Sequence, residues 1–367
     1  MRSIGDPNDQ RTAVSAGTTP RTERDWSPRS RSAGYGARTV RVNSGSADSA
    51  CGQFQIDGWA AATDLATVKR AVSISLGASA RDYECETELL GRRVSLKRIG
   101  TDGDMLRAEE LLRGLDGTVD ALGLGGADLG LSVGDRWYPL HAMDGLRRAV
   151  RRTPLVDGTG LKRTLEKRVA ERFLQDHAKE IEPRRAFLIM ATDRWGLTEA
   201  FMEADFELLL GDLMFSVGLP LPLRRPALAK SLARWCVPLI GRLPFHWIYP
   251  TGNRQSANQP RHRRHYDWAT VIVGDCHYIR STAPERLDGK YVLTNTTTAA
   301  DVGFFRGRGV KTLVTTTPRF GSRTFGTNLL EAALIAVADR QHPLSLDEYD
   351  ELVRRAGFGP EIMQLND

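Results

Sequence analysis

The sequence is poor in cysteine: four in 367 residues (Cys51, Cys85, Cys236, Cys276), far apart and with no C-x-x-C pair. This reads as reduced thiols in a cytoplasmic protein and not a disulfide framework, and it gives no support to a cysteine-based structural zinc site. No apolar run approaches the roughly 20 residues that a membrane-spanning helix requires. The opening MRSIGDPNDQRT lacks the basic-then-apolar layout of a secretory signal, and Asp6, Asp9, Glu23 and Asp25 argue against a transit peptide. A complete G-x-G-x-x-G turn is missing, and no histidines and acids stand at metal-ligating spacing, so no metal is expected.

What is present points to a folded α/β enzyme-like chain. The hydrophobic fraction is 41%, enough for sizeable cores, and the length suits two domains. The net charge of +6 gathers mainly in an Arg-rich tail (Arg2 to Arg41) and in Arg254 to Arg264. Such clusters attract any anion. With no recognition motif beside them, the expected partner is a small anionic metabolite, not nucleic acid or membrane, and self-association stays open.

Residues 1–67 lack aliphatic periodicity and read as a disordered basic tail. From 68 to 180, short β-branched runs alternate with helical stretches: strands at 70–77, 91–100 and 119–126, helices at 104–115, 143–152 and 161–176, and a polar hairpin around Ser132 to Pro139. The alternation restarts after Glu182-Pro183, with strands at 185–191, 206–212, 270–275, 290–295 and 311–317 and a helix at 326–340. Parallel βαβ units are the natural reading: an N-terminal α/β substrate lobe (68–180) and a C-terminal Rossmann-like lobe (181–345). A Pro- and aromatic-rich insertion of short helices and loops at 213–266, a possible lid, interrupts the second lobe. A helical extension (346–367) closes the chain.

In open α/β sheets ligands bind beyond the carboxyl ends of the strands. In the second lobe those ends carry Thr192-Asp193-Arg194-Trp195-Gly196, Asp212, Asp275-Cys276-His277, Asn295-Thr296-Thr297 and Thr316-Thr317, groups suited to cradling a nucleotide. Asp212, about 20 residues beyond the first strand, stands where an acid holds a ribose diol and favours NAD over NADP. An alternative has Asp193 capping the next helix and Asp212 opening a turn. In the first lobe, Gly125, Gly126 and Asp128 form a tight turn that lets a substrate approach the backbone. Lys162 and Asp157, at the start of a helix after two glycines, suit anion binding or a proton-transfer pair. Asp275 and His277 suit acid–base work, with Cys276 turned to the core. The aromatics of His246 to Gly252 read as packing, and the arginines of 254–264 as a solvated face able to close over an anion.

The runs SISLGASARD (73–82), DALGLGGADL (120–129), VDGTGLKRTLE (156–166), ATDRWGLTEA (191–200), LPFHWIYPTG (243–252), GDCHYIR (274–280) and TTTPRFGSRTFGTNLLEA (315–332) resemble bacterial proteins known as quinate 5-dehydrogenases. The resemblance covers about residues 69–342. It implies a relative of shikimate and quinate dehydrogenases: a two-lobed fold, NAD or NADP, and a Lys–Asp pair, for which Lys162 and Asp157 are the stand-ins. Ser73 and Ser75 are similar to the S-x-S that holds a substrate carboxylate in that family, and Asn295-Thr296-Thr297 is similar to its N-R-T. The V-T-x-P-x-K loop and G-A-G-G turn of the family are replaced here. The expected function is an NAD(P)-dependent oxidoreductase acting on a cyclic polyol acid such as quinate. The alternatives are a non-redox lyase, isomerase or transferase using Asp275 and His277, and a ligand-binding protein without turnover.

Overall fold

The structure is a computed structural model that describes residues 68–133, 136–216, 218–243, 258–320 and 323–367. The tail expected at 1–67, the aromatic turn His246 to Gly252 and Arg254 lie outside the described residues. The rest folds into two α/β lobes, each around a mainly parallel sheet.

The first sheet holds β1 (Lys69–Ser75), β2 (Tyr83–Leu89), β3 (Arg92–Gly100), β4 (Ala121–Gly125) and β7 (Leu155–Val156); β5 (Gly130–Val133) and β6 (Arg136–Pro139) form a separate hairpin. Its order is β2-β3-β1-β4-β7, parallel except for β2 at the edge. The sheet is covered on both faces, which is why β1 is an almost continuous buried run. On one face Val72, Ile74, Leu122 and Leu124 pack with Leu112 and Leu146 of α1 (Met105–Leu115) and α2 (Asp144–Ala149).

Three differences from the sequence reading have local causes. Strand β2 is an addition: its turn, Leu90-Gly91, takes positive φ at both residues (54° and 77°), a hairpin geometry usually signalled by Asn-Gly. The helix expected over 143–152 stops at Ala149, because the Asp116 carboxylate accepts the amides of Arg151, Arg152 and Thr153. The helix expected over 161–176 is two: α3 (Thr159–Arg163) and α4 (Leu165–His177) break at Thr164, whose hydroxyl donates to Gly160 O at 2.8 Å.

The second sheet contains β8 (Arg185–Leu188), β9 (Glu207–Leu210), β10 (Val271–Gly274), β11 (Tyr291–Thr294), β12 (Thr312–Thr315) and β15 (Glu361–Gln364); β13 (Arg319–Phe320) and β14 (Arg323–Thr324) form a small hairpin beside it. The order is β15-β12-β11-β10-β8-β9, with only β15 antiparallel. Its helices are α5 (Trp195–Glu203), α6 (Asp212–Ser216), α7 (Pro226–Ile240), α8 (Arg263–Trp268), α9 (Cys276–Thr282) and α10 (Ala299–Gly307). The expected insertion of short helices thus includes a 15-residue helix, α7, entered through Pro226 in its first turn. The C-terminal extension is not wholly helical: α12 (Leu346–Arg355) is followed by strand β15.

The chain does not finish one lobe before starting the other. Helix α11 (Thr327–Val337), buried at every position but Asn328, lies under the first sheet with Tyr349, Leu352 and Val353 of α12. Helix α4 joins both cores: Leu165 and Val169 belong to the first, Ala170, Phe173 and Leu174 to the second.

Candidate functional site

The carboxyl ends of the parallel strands in the two sheets face each other, and charged side chains cross between them. Lys162 Nζ, on α3, donates to Asp128 Oδ1 at 2.7 Å after β4 and to Asp193 Oδ1 at 2.9 Å after β8. The lysine side chain is only 9% exposed. Burial alone would lower its pKa, but the two carboxylates outweigh that and hold the ammonium above the ordinary lysine range. Asp128 moves the other way: burial, with help from the charges of Asp193 and Asp157, raises it to about 6 against the pull of Lys162.

A second buried ion system lies alongside. The Arg194 guanidinium pairs with fully buried Glu166 and donates to Asp275 Oδ2 at 3.1 Å. Asn295 Nδ2 donates to the same oxygen at 2.8 Å, and the His277 amide to Oδ1 at 2.8 Å. Burial would raise Asp275, but Arg194, His277 and these donors bring it down to about 2. Asp275 is therefore an ionised cap on α9 and an anchor for Arg194. The His277 ring meets Arg81, which follows β1 in the first lobe. Burial and Arg81 lower its pKa, although Asp275 opposes them. Burial, with the carboxylates of Asp275, Asp193 and Asp128, raises the Tyr278 phenol to about 12.

The expected residues divide clearly. Lys162, Asp128, Asp193, Arg194 and Asp275 come together, but the Lys162–Asp157 pair does not form as a hydrogen bond. Asp157 instead accepts from Leu129 N at 2.7 Å and Thr159 N at 3.0 Å, bracing the two loops that carry Asp128 and Lys162. Asp193 does not cap α5, whose N-cap is Arg194. Asp212 is buried and accepts from Thr192 N at 2.8 Å and Thr192 Oγ1 at 2.5 Å, which ties both residues to each other. Thr296 and Thr316 are buried at the ends of β11 and β12. Gly196 gives room for Lys162 O and Lys167 Cβ, so its role is helix packing. Cys276 is buried as expected, but it opens helix α9 and so is turned inward by the helix, not by strand alternation.

On the first sheet, Ser73 accepts from Asn328 Nδ2 at 2.5 Å, and Ser75 accepts from Arg98 Nη2 at 2.9 Å and from the amide of Gly77. A Cβ on Gly125 would stand 2.9 Å from Asn328 Nδ2, so that glycine makes space for α11. Gly126, at φ +75°, lies against the backbone of Leu76 and Gly77. Sequence reasoning missed Glu166, Arg81, Arg98, Tyr278 and Asn328. Glu166, Arg81, Arg98 and Asn328 lie far along the sequence from Arg194, His277, Ser75 and Ser73, so no local spacing announces them.

One family model, described as Domain of unknown function (DUF8754), matches residues 160–365, and another, Domain of unknown function (DUF8753), matches 70–157. No curated protein matches the chain. Among solved structures it is similar to the substrate-binding protein of a sugar ABC transport system from Bordetella parapertussis 12822 (11% identity, 82% of this chain and 90% of that one, TM-score 0.35). Another is the 5-methylthioribose transporter solute binding protein from Thermotoga lettingae, in complex with 5-methylthioribose (12%, 80% and 85%, TM-score 0.32). A third is an ABC transporter solute binding protein from Burkholderia graminis in complex with D-arabinose (8%, 83% and 97%, TM-score 0.34). The expectation of an NAD(P)-dependent oxidoreductase of a cyclic polyol acid is corrected here. The Asp212 carboxylate that would hold a ribose is buried and accepts from the amide and hydroxyl of Thr192 instead.

Proposed function

We propose that this chain, which belongs to the DUF8754 family, binds a small polar metabolite bearing several hydroxyls and an anionic group between the facing strand ends of its two lobes. The observation that carries this reading is the buried Lys162 ammonium, shared between Asp128 of one lobe and Asp193 of the other. Carboxylates held in place by a fixed cation are ready acceptors for ligand hydroxyls, and a ligand replacing part of this bridge keeps every buried charge paired. Arg81 and Arg98, which follow and neighbour β1, supply positive charge at the same end of the first sheet.

The test is calorimetric titration with polyhydroxylated acids and neutral sugars, repeated with Lys162→Met and Asp193→Asn. Binding that both substitutions abolish supports the reading; binding at equal strength by the Lys162→Met variant removes it. One observation favours a second reading, proton transfer on the bound metabolite. Asp128 is hydrogen-bonded to the Lys162 ammonium at 2.7 Å, and burial raises its pKa above the ordinary carboxylate range, as a general acid–base group requires. That reading requires turnover that falls off across the Asp128 titration and disappears in Asp128→Asn, while ligand binding remains.

A further inference from the structure

Residues 213–266 contain nine lysines and arginines and not one aspartate or glutamate. The whole chain is only +6, so this stretch carries more than the entire excess of positive charge. The same stretch concentrates exposed apolar surface. Of the ten large apolar side chains exposed among the described residues, five lie within 21 positions: Leu219, Leu221, Leu228, Trp235 and Leu239. Trp235 is 81% exposed, the highest of all.

Helix geometry makes these positions a surface. With 3.6 residues per turn, Leu228, Trp235 and Leu239 fall within about 40° of one another on α7. Ala229 and Val237 point the other way, into the protein. The helix is fastened at both ends. Leu223, just before it, exchanges backbone hydrogen bonds with Leu210 at the end of β9 (2.7 and 2.9 Å), and Gly241, just after it, accepts from His141 N at 2.8 Å. The stripe is therefore presented on a fixed element. Exposed Arg225 and Arg234 lie in its lead-in turn and along the helix.

We propose that α7 and its lead-in turn dock on an anionic lipid surface, with Trp235 and the leucines among the headgroups and the lobes outside the bilayer. This occupant uses both halves of the pattern. A second copy of the chain would bring the same positive stretch and be repelled. A nucleic acid would satisfy the cations but leave four leucines without a partner. A bilayer rich in acidic headgroups takes the cations at its surface and the tryptophan and leucines at its boundary, as interfacial helices do. No helix of the described residues is long and apolar enough to cross a membrane, so the contact is peripheral.

The experiment is co-sedimentation of the full chain with mixed phosphatidylglycerol/phosphatidylcholine vesicles and with phosphatidylcholine alone, at low and high salt. The expected result is sedimentation with the anionic vesicles only, weakened by salt, and lowered at least about tenfold by the double substitution Trp235→Glu, Leu239→Glu. Both positions are exposed, and an unchanged melting curve confirms that the variant is folded. Failure of the wild type to sediment with anionic vesicles overturns the proposal. So does undiminished sedimentation of the double variant, which would assign the attraction to charge alone. Equally strong, Trp235-dependent binding to polyglutamate would assign the face to an acidic protein instead.

Discussion

A buried cation between two carboxylates is stable only while all three are present. Removing Lys162 leaves Asp128 and Asp193 facing each other with little solvent, so Lys162→Met is expected to destabilise the fold by about 3–5 kcal/mol, measured by urea unfolding. A second residue sets the alkaline behaviour. Glu331, buried under Gly158 and Gly160, has its pKa raised from 4.5 to about 8, first by burial and then by the charge of Asp157. The unfolded chain gives up this proton near 4.5, whereas the folded chain keeps it until about 8. Its contribution is therefore complete below 4.5 and lost as pH rises through 8, a loss on the order of a few kcal/mol. Glu331→Gln should flatten the decline of melting temperature across that window; an unchanged pH profile would contradict the assignment. At this scale the sequence disclosed Lys162, Asp193 and Asp275 through their place after strands and glycines. It could not disclose their partners: Lys162 is 34 residues from Asp128, and Arg194 is 81 from Asp275.

Elements meet here by close approach of backbone. Gly123 lies on β4 directly over α11, where a Cβ would stand 2.7 Å from the backbone oxygen of Asn328. Because that obstacle is main chain and not a flexible side chain, Gly123→Ala is expected to cost about 1–3 kcal/mol by overpacking, read from the urea midpoint. Gly114 on α1, with open space around its missing Cβ, is the matching control and should tolerate alanine. Most strands were legible because burial on both faces makes them compact apolar runs, as in Val271–Gly274. Helix ends were less so. Thr164, by donating to a backbone oxygen, and Asp116, by accepting from backbone amides, split or end helices, and periodicity carries no trace of those bonds.

The two lobes read from the sequence are the two sheets, but the chain serves them in turns, which the order of runs along the sequence does not reveal. Helix α11 sits on the first sheet although it follows β12 of the second, and β15 returns to the second after α12 has packed on the first. A fragment covering 68–180 should therefore lack native structure by circular dichroism and amide dispersion, since one face of its sheet has lost its cover. A cooperative, stable fold in that fragment would show that α11 and α12 are dispensable. The same winding governs synthesis on the ribosome. The strands β1 to β7 emerge long before residues 327–337, and at roughly 5–20 residues per second they wait on the order of ten seconds or more with an apolar face open to solvent or to a chaperone. The nascent first lobe is thus the part of this protein most exposed to misassembly, and α11 is the element whose arrival ends that exposure.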